Sequence, residues 1–135
     1  MSAMFVYGTL LRGERWHSYL AGARFLGAVA TAPAYSLYDM GAVDYPALVA
    51  QGATSVAGEL YEVSAAIVAA LDELEESPEY YYRAEILLAD GRRAEGYLLP
   101  EGRLDGAKLI PGGCWRGRGR GIRNTDYGLR TTELE

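Results

Sequence analysis

Two short stretches carry residues whose types and spacing can do chemistry: Tyr7-Gly8-Thr9-Leu10, and the carboxylates around Glu75. The apolar run from Ala3 to Tyr7 reads as a strand that ends abruptly at Gly-Thr. Gly8 lets the main chain turn tightly and lets a ligand come close to it. A turn of this kind leaves backbone N–H groups free to hold a carboxylate or a developing oxyanion. An ordinary strand-ending turn has the same sequence, so the loop has two readings when taken alone. The second stretch lies on a helix expected from Ala65 to about Glu76. At about 100° per residue, with Ile67 at zero, Leu71 falls near 40°, Leu74 near 340° and Val68 near 100°. Glu75 falls near 80°, inside this apolar stripe, whereas Glu73 and Glu76 lie near 240° and 180°, on the solvated side.

A carboxylate aimed at the core is costly unless it is paired, hydrated or neutralised. Desolvation raises its pKa, and the negative end of the helix dipole acts in the same direction. Both effects move Glu75 towards neutral pH, where it can take and return a proton efficiently. The bland alternative is a partly buried Glu75 paired with Arg83 or with a tyrosine hydroxyl. His17 is a further candidate base, although a lone histidine in a polar segment is more often structural. The 11 tyrosines, including Tyr80-Tyr81-Tyr82, serve strand propensity and packing, with one or two available to line a pocket.

Composition narrows the field. The chain of 135 residues with a formal charge of −5 reads as one domain, 1–135, and the acidic balance argues against general nucleic-acid binding. A local exception is the Gly/Arg-rich segment around 112–124. Its run Trp115-Arg116-Gly117-Arg118-Gly119-Arg120-Gly121, with Arg123 beyond, is open to three readings: a solvated loop, an RNA- or partner-contacting strip, or an anion-collecting rim. One His and the lone Cys114, which reads as a packing residue, cannot build a usual zinc site, and no nucleotide-binding glycine loop occurs. No apolar run is long enough to span a bilayer, and a cytoplasmic location is expected.

The elements that must position these residues are mostly short strands. Arg24 to Met40 reads as two strands broken at Pro33, and Tyr45 to Val49 as an extended segment ended by a Gln51-Gly52 turn. Val56 to Val63 alternates as a strand. Ser64 is an N-cap for the helix, which Pro78 stops. Tyr81 to Leu88 and Arg93 to Leu99 flank Asp90-Gly91, a strong hairpin signal. A short helix or turn is expected from Glu14 to Leu20, and a last strand from Tyr127 to Thr132. The sum is an α+β fold, a small mixed β-barrel-like sheet with packed helices.

The run Phe5-Val6-Tyr7-Gly8-Thr9-Leu10 continues through Arg12-Gly13 to His17 and Leu20. Leu71-Asp72-Glu73-Leu74-Glu75 is followed by Pro78, Tyr81 and Arg83. In this order the two resemble the signatures of the γ-glutamylcyclotransferase-like family, particularly its γ-glutamylamine cyclotransferase branch, and Tyr45-Pro46-Ala47-Leu48 looks like a weaker third match. The resemblance implies a small mixed barrel with helices outside, often a dimer. It also implies an enzyme that cyclises a γ-glutamyl amine or peptide to 5-oxoproline and a free amine. Glu75 would be the general acid/base. Tyr7, Gly8, Thr9 and Leu10 would hold the γ-glutamyl group, joined by Tyr81 from the second signature. No cofactor is implied, because nucleophile and electrophile belong to one molecule. Many members carry Gly directly after the catalytic Glu, where this chain has Glu76. The competing expectations are a non-catalytic module for a small carboxylate-bearing ligand, and a partner- or RNA-binding protein acting through Arg116 to Arg123.

Overall fold

A computed structural model describes residues 2–41, 45–104 and 106–117. The first strand, β1 (Ser2–Val6), is central because both of its edges are used. One edge pairs antiparallel with β5 (Ala57–Val63), from Ser2↔Val63 to Val6↔Glu59. The other pairs parallel with β7 (Arg93–Leu98) at Met4↔Glu95. Such a strand is covered on both faces, which is why Met4, Phe5 and Val6 are consecutive and all buried. The outer strands β2 (Arg24–Ala30) and β6 (Tyr82–Leu87) complete a five-stranded sheet in the order β2-β5-β1-β7-β6. A second sheet of three strands has β3 (Tyr35–Asp39) between β4 (Pro46–Thr54) and β8 (Lys108–Leu109). Leu37 and Leu48 in it are completely buried, and the Leu99 N–H donates to Leu48 O at 2.8 Å to tie the sheets together.

The architecture is α+β, as the sequence implies, and the barrel is approached without closing. The outer edges of β2 and β6 run on to meet in a single bridge, Thr31↔Leu88. Ala32 N–H donates to Leu87 O and Ala89 N–H to Ala30 O, both at 2.9 Å. Thr31 is fully buried, and its hydroxyl is satisfied as the acceptor for the Val56 N–H at 2.9 Å.

Helix α1 (Ala65–Leu74) begins at Ser64, whose Oγ accepts the Ile67 N–H at 3.2 Å. Leu71 is fully buried, Ile67, Val68 and Leu74 pack against the core, and Glu73 and Glu76 are exposed, which is the expected helical phase. The helix is two residues shorter than expected. Glu75 is its capping residue, and Glu76 leaves in the left-handed region at φ +55°.

The Asp90-Gly91 hairpin forms, with Asp90 Oδ1 accepting the Arg92 N–H at 2.9 Å. The expected turn at Gln51-Gly52 does not. There β4 continues to Thr54 through a break in register, from Ser36↔Val49 to Tyr35↔Thr54. Gly52 sits at φ +143°, where a Cβ would run into Ser36 Oγ and lie 2.6 Å from Tyr35 O. The glycine therefore serves a bulge inside a strand. The expected strand at Tyr127 to Thr132, and the Gly/Arg-rich segment beyond Gly117, lie outside the described residues.

Candidate active site

A cavity of about 410 Å³ opens where the C-terminal end of β1 meets the end of α1. Tyr7, Gly8, Thr9 and Leu10 line it on one side, with Glu75 and Tyr81 from the chain that leaves the helix. All six residues to which the family resemblance gives a role are thus on the wall of one cavity.

Gly8 is required there for a reason its local sequence does not reveal. Its φ is not positive; a Cβ would overlap Pro46 Cγ and stand 2.8 Å from Pro46 Cδ. The close approach it permits is therefore to a proline ring of β4. Pro46 is held from the other side by Tyr81, whose hydroxyl donates to Pro46 O at 2.7 Å. After Gly8 the loop folds on itself, with Leu11 N–H donating to Gly8 O at 3.0 Å and Trp16 N–H to Thr9 O at 2.9 Å. His17 Nδ1 lies 2.9 Å from Leu10 O; a carbonyl only accepts, so His17 is a strut for the loop. The N–H groups of Gly8, Thr9 and Leu10 donate to no acceptor among the described residues.

Glu75 is partly buried, and burial pushes its carboxyl up to about 7. The partners that would have made it an ordinary structural glutamate are all engaged elsewhere. Arg83 Nε lies 2.9 Å from Asp72 Oδ1 and Arg83 Nη1 lies 2.7 Å from Glu95 Oε1. Tyr7 donates to Tyr97 O at 2.7 Å, and Tyr97 donates to Asp72 Oδ1 at 2.6 Å. Among the described residues no hydrogen bond or ion pair reaches the Glu75 carboxylate. The tyrosines around it move away from ionisation. Burial and the Glu75 charge drive Tyr7 and Tyr81 well above the usual phenol range. Burial and the hydrogen bond with Tyr80 push Tyr45 up to about 12. The cavity thus holds an unpartnered carboxyl poised near neutrality among hydroxyls that stay protonated.

The clamp at Asp72 also explains the aim of Glu75. Asp72 lies one helical turn before it, and Arg83 joins this turn to β6 and β7, so the helix cannot rotate about its axis without breaking charged hydrogen bonds. Sequence reasoning missed Arg15, Trp16, Tyr45, Tyr80 and Tyr97, which also line the cavity. Of these, Tyr45 had a signal, since it opens the third matching stretch. Arg15 and Trp16 had none, because only the folded loop turns them towards Glu75.

Glu76 sits where a helix end favours glycine. A non-glycine residue in the left-handed region carries a strain of about 1 kcal/mol. Glu76→Gly should therefore raise stability by about 0.5–1 kcal/mol in thermal denaturation; a lower melting temperature would show that the Glu76 side chain contributes more than its backbone costs.

The family model for gamma-glutamyl cyclotransferase, AIG2-like proteins matches residues 4–117. The chain belongs to this family. It is 49% identical over 83 residues to a Vibrio cholerae protein provisionally named gamma-glutamylcyclotransferase, covering 62% of this chain and 70% of that one. It is 46% identical over 76 residues to the gamma-L-glutamyl-butirosin B gamma-glutamyl cyclotransferase of Niallia circulans, over 56% of this chain and 47% of that protein. The chain therefore matches only about half of the latter's length. Among solved structures, an AIG2-like protein of Mus musculus superposes with a TM-score of 0.73 at 26% identity, covering 96% of this chain and 99% of that one.

Proposed function

We propose that this protein is a γ-glutamyl cyclotransferase that converts a γ-glutamyl amine or peptide to 5-oxoproline and the free amine, with Glu75 as general acid/base. The observation that carries the reading is the Glu75 carboxyl, raised to about 7, on the same wall as the N–H groups of Gly8, Thr9 and Leu10, with neither partnered among the described residues. A partly buried carboxylate without a partner costs stability, and such costs are kept where function needs them.

In the proposed reaction the γ-glutamyl α-amine attacks its own γ-carbonyl. Glu75 takes a proton from the attacking nitrogen as the new C–N bond closes the five-membered ring. The loop N–H groups steady the substrate carboxylate or the oxyanion of the tetrahedral intermediate. Collapse of that intermediate breaks the original C–N bond, and Glu75 hands its proton to the departing amine. Because both reacting groups lie in one molecule, the enzyme's main task is to hold the ring-closing conformation, a task suited to a closely walled cavity. Tyr81 acts from that wall, and Arg15 adds positive charge to it. The relative named for butirosin B supports a substrate class in which the γ-glutamyl group is carried on a larger amine.

Purified protein incubated with a panel of γ-glutamyl amines and peptides should release 5-oxoproline, detected by mass spectrometry, from at least one of them. No product from any member would overturn the assignment.

A further inference from the structure

The start of the Gly/Arg-rich segment is not a free strip. Trp115 buries its ring in the core at 2% exposure, and this brings Arg116 back over the loop that follows Gly8. Arg116 Nε lies 3.4 Å from Glu14 Oε2, Nη1 lies 3.6 Å from Glu59 Oε2, and Nη2 donates to Arg12 O. Glu59, on β5, has a side chain only 13% exposed. Its Oε1 accepts the Arg12 N–H at 2.9 Å and the Tyr61 hydroxyl at 3.0 Å. One guanidinium and one carboxylate, from stretches far apart in sequence, thus grip the loop at residues 12 and 14. A planar guanidinium with five donors can serve several acceptors at once, which a lysine ammonium cannot match in geometry.

We infer that Arg116 and Glu59 are positioning residues for the cavity: they hold the Gly8–Trp16 loop so that the Gly8–Leu10 N–H groups, Arg15 and Trp16 stay on its wall. The loop is also held by short turns within itself, by the His17 strut, by the buried Leu10 and Leu11, and by the Arg12 side chain, which lies over the Phe25 ring and hydrogen-bonds with Tyr61. Glu59 ties the loop's main chain to β5, and Arg116 ties it to the Trp115 anchor. The inference rests on the cavity being the active site proposed above. It gives Arg116 a role on protein acceptors, in place of the nucleic-acid or anion-rim roles left open by its sequence.

The test compares wild type with Arg116→Ala, Arg116→Lys and Glu59→Gln by hydrogen exchange at the Leu11, Glu14 and Trp16 amides, and by steady-state kinetics on whichever γ-glutamyl substrate is turned over. Loss of a charge-assisted grip should speed exchange at these amides about tenfold in Arg116→Ala and Glu59→Gln, with the β1 and β5 amides unchanged. Because the loop N–H groups hold substrate before and during reaction, kcat/KM should fall about tenfold, mostly through KM. Arg116→Lys should fall between, and the pH midpoint governed by Glu75 should not move. Unchanged loop exchange, exchange raised equally across the sheet, or an unaltered KM would each overturn the inference. If wild type forms no 5-oxoproline, the assignment of function fails by itself, and the loop amides still decide whether Arg116 and Glu59 provide the hold.

Discussion

With glutamine in place of Glu75, 5-oxoproline formation should fall by about 10²–10⁴-fold, the usual contribution of a positioned acid/base, and the loss should appear in kcat rather than KM. Glutamine keeps the size and polarity of the side chain and removes only its ability to exchange a proton. In wild type the rate should rise through about pH 7 as Glu75 ionises, because the carboxylate is the form that accepts the proton. The same residue fixes an opposite trend in stability. Its carboxyl lies near 4.5 when unfolded and about 7 when folded, so between those values the unfolded chain ionises first. Stability therefore drops as pH rises through this window and stays lowered above it, by up to about 3 kcal/mol. The Gln variant lacks this penalty. It should melt above wild type at pH 8 and level with it at pH 4. Retained activity, or a variant less stable at pH 8, would remove Glu75 from the mechanism proposed here.

Gly8→Ala should damage both the fold and the cavity. The added Cβ overlaps Pro46 Cγ, and a proline ring has no rotamer into which it can retreat. Either the loop or the start of β4 must move, and Tyr81 loses its geometry with Pro46 O if the strand gives way. Overpacking of this kind costs about 1–3 kcal/mol, and the rigidity of the neighbour favours the upper part of that range. Activity should fall further than stability alone explains, since the displaced atoms belong to the cavity wall. Pro46→Ala removes Cγ and Cδ, so Gly8→Ala combined with Pro46→Ala should be less destabilised than the sum of the single changes. Additive losses in that cycle, measured by denaturant titration, would mean that the two residues do not share the strain.

Local patterns make much of this legible in the sequence. The phase of Ile67, Val68, Leu71 and Leu74 is enough to separate Glu75 from Glu73 and Glu76, because helical periodicity is a local property. The hairpin at Asp90-Gly91 and the cap at Ser64 are local in the same way. What stays hidden depends on pairing at a distance. Nothing near Gly8 announces that a proline 38 positions later fills the space above it. Gly52 looks like a turn residue, and only the register of β3 against β4 makes it part of a bulge. The parallel pairing of β1 with β7, and the capture of Arg83 by Asp72 and Glu95, likewise join stretches that share no periodicity. Glu76 is the intermediate case. Its departure from the glycine implied by the family resemblance is visible as an oddity, and becomes intelligible only with its backbone angle.

The double pairing of β1 also bears on how the protein comes into being on the ribosome. Tyr7 and the loop behind it emerge early, yet the strand that leads to them needs β5 on one side and β7 on the other. Glu75 is synthesised well before β7, so a nascent chain that already carries both halves of the proposed chemistry still lacks Tyr97, which lines the cavity and takes the Tyr7 hydroxyl. Until β7 docks, the wall shared by the loop and the carboxyl lacks its Tyr97 part. Of the residues that line the cavity, Tyr97 is therefore the last to be synthesised, after both the loop and the glutamate.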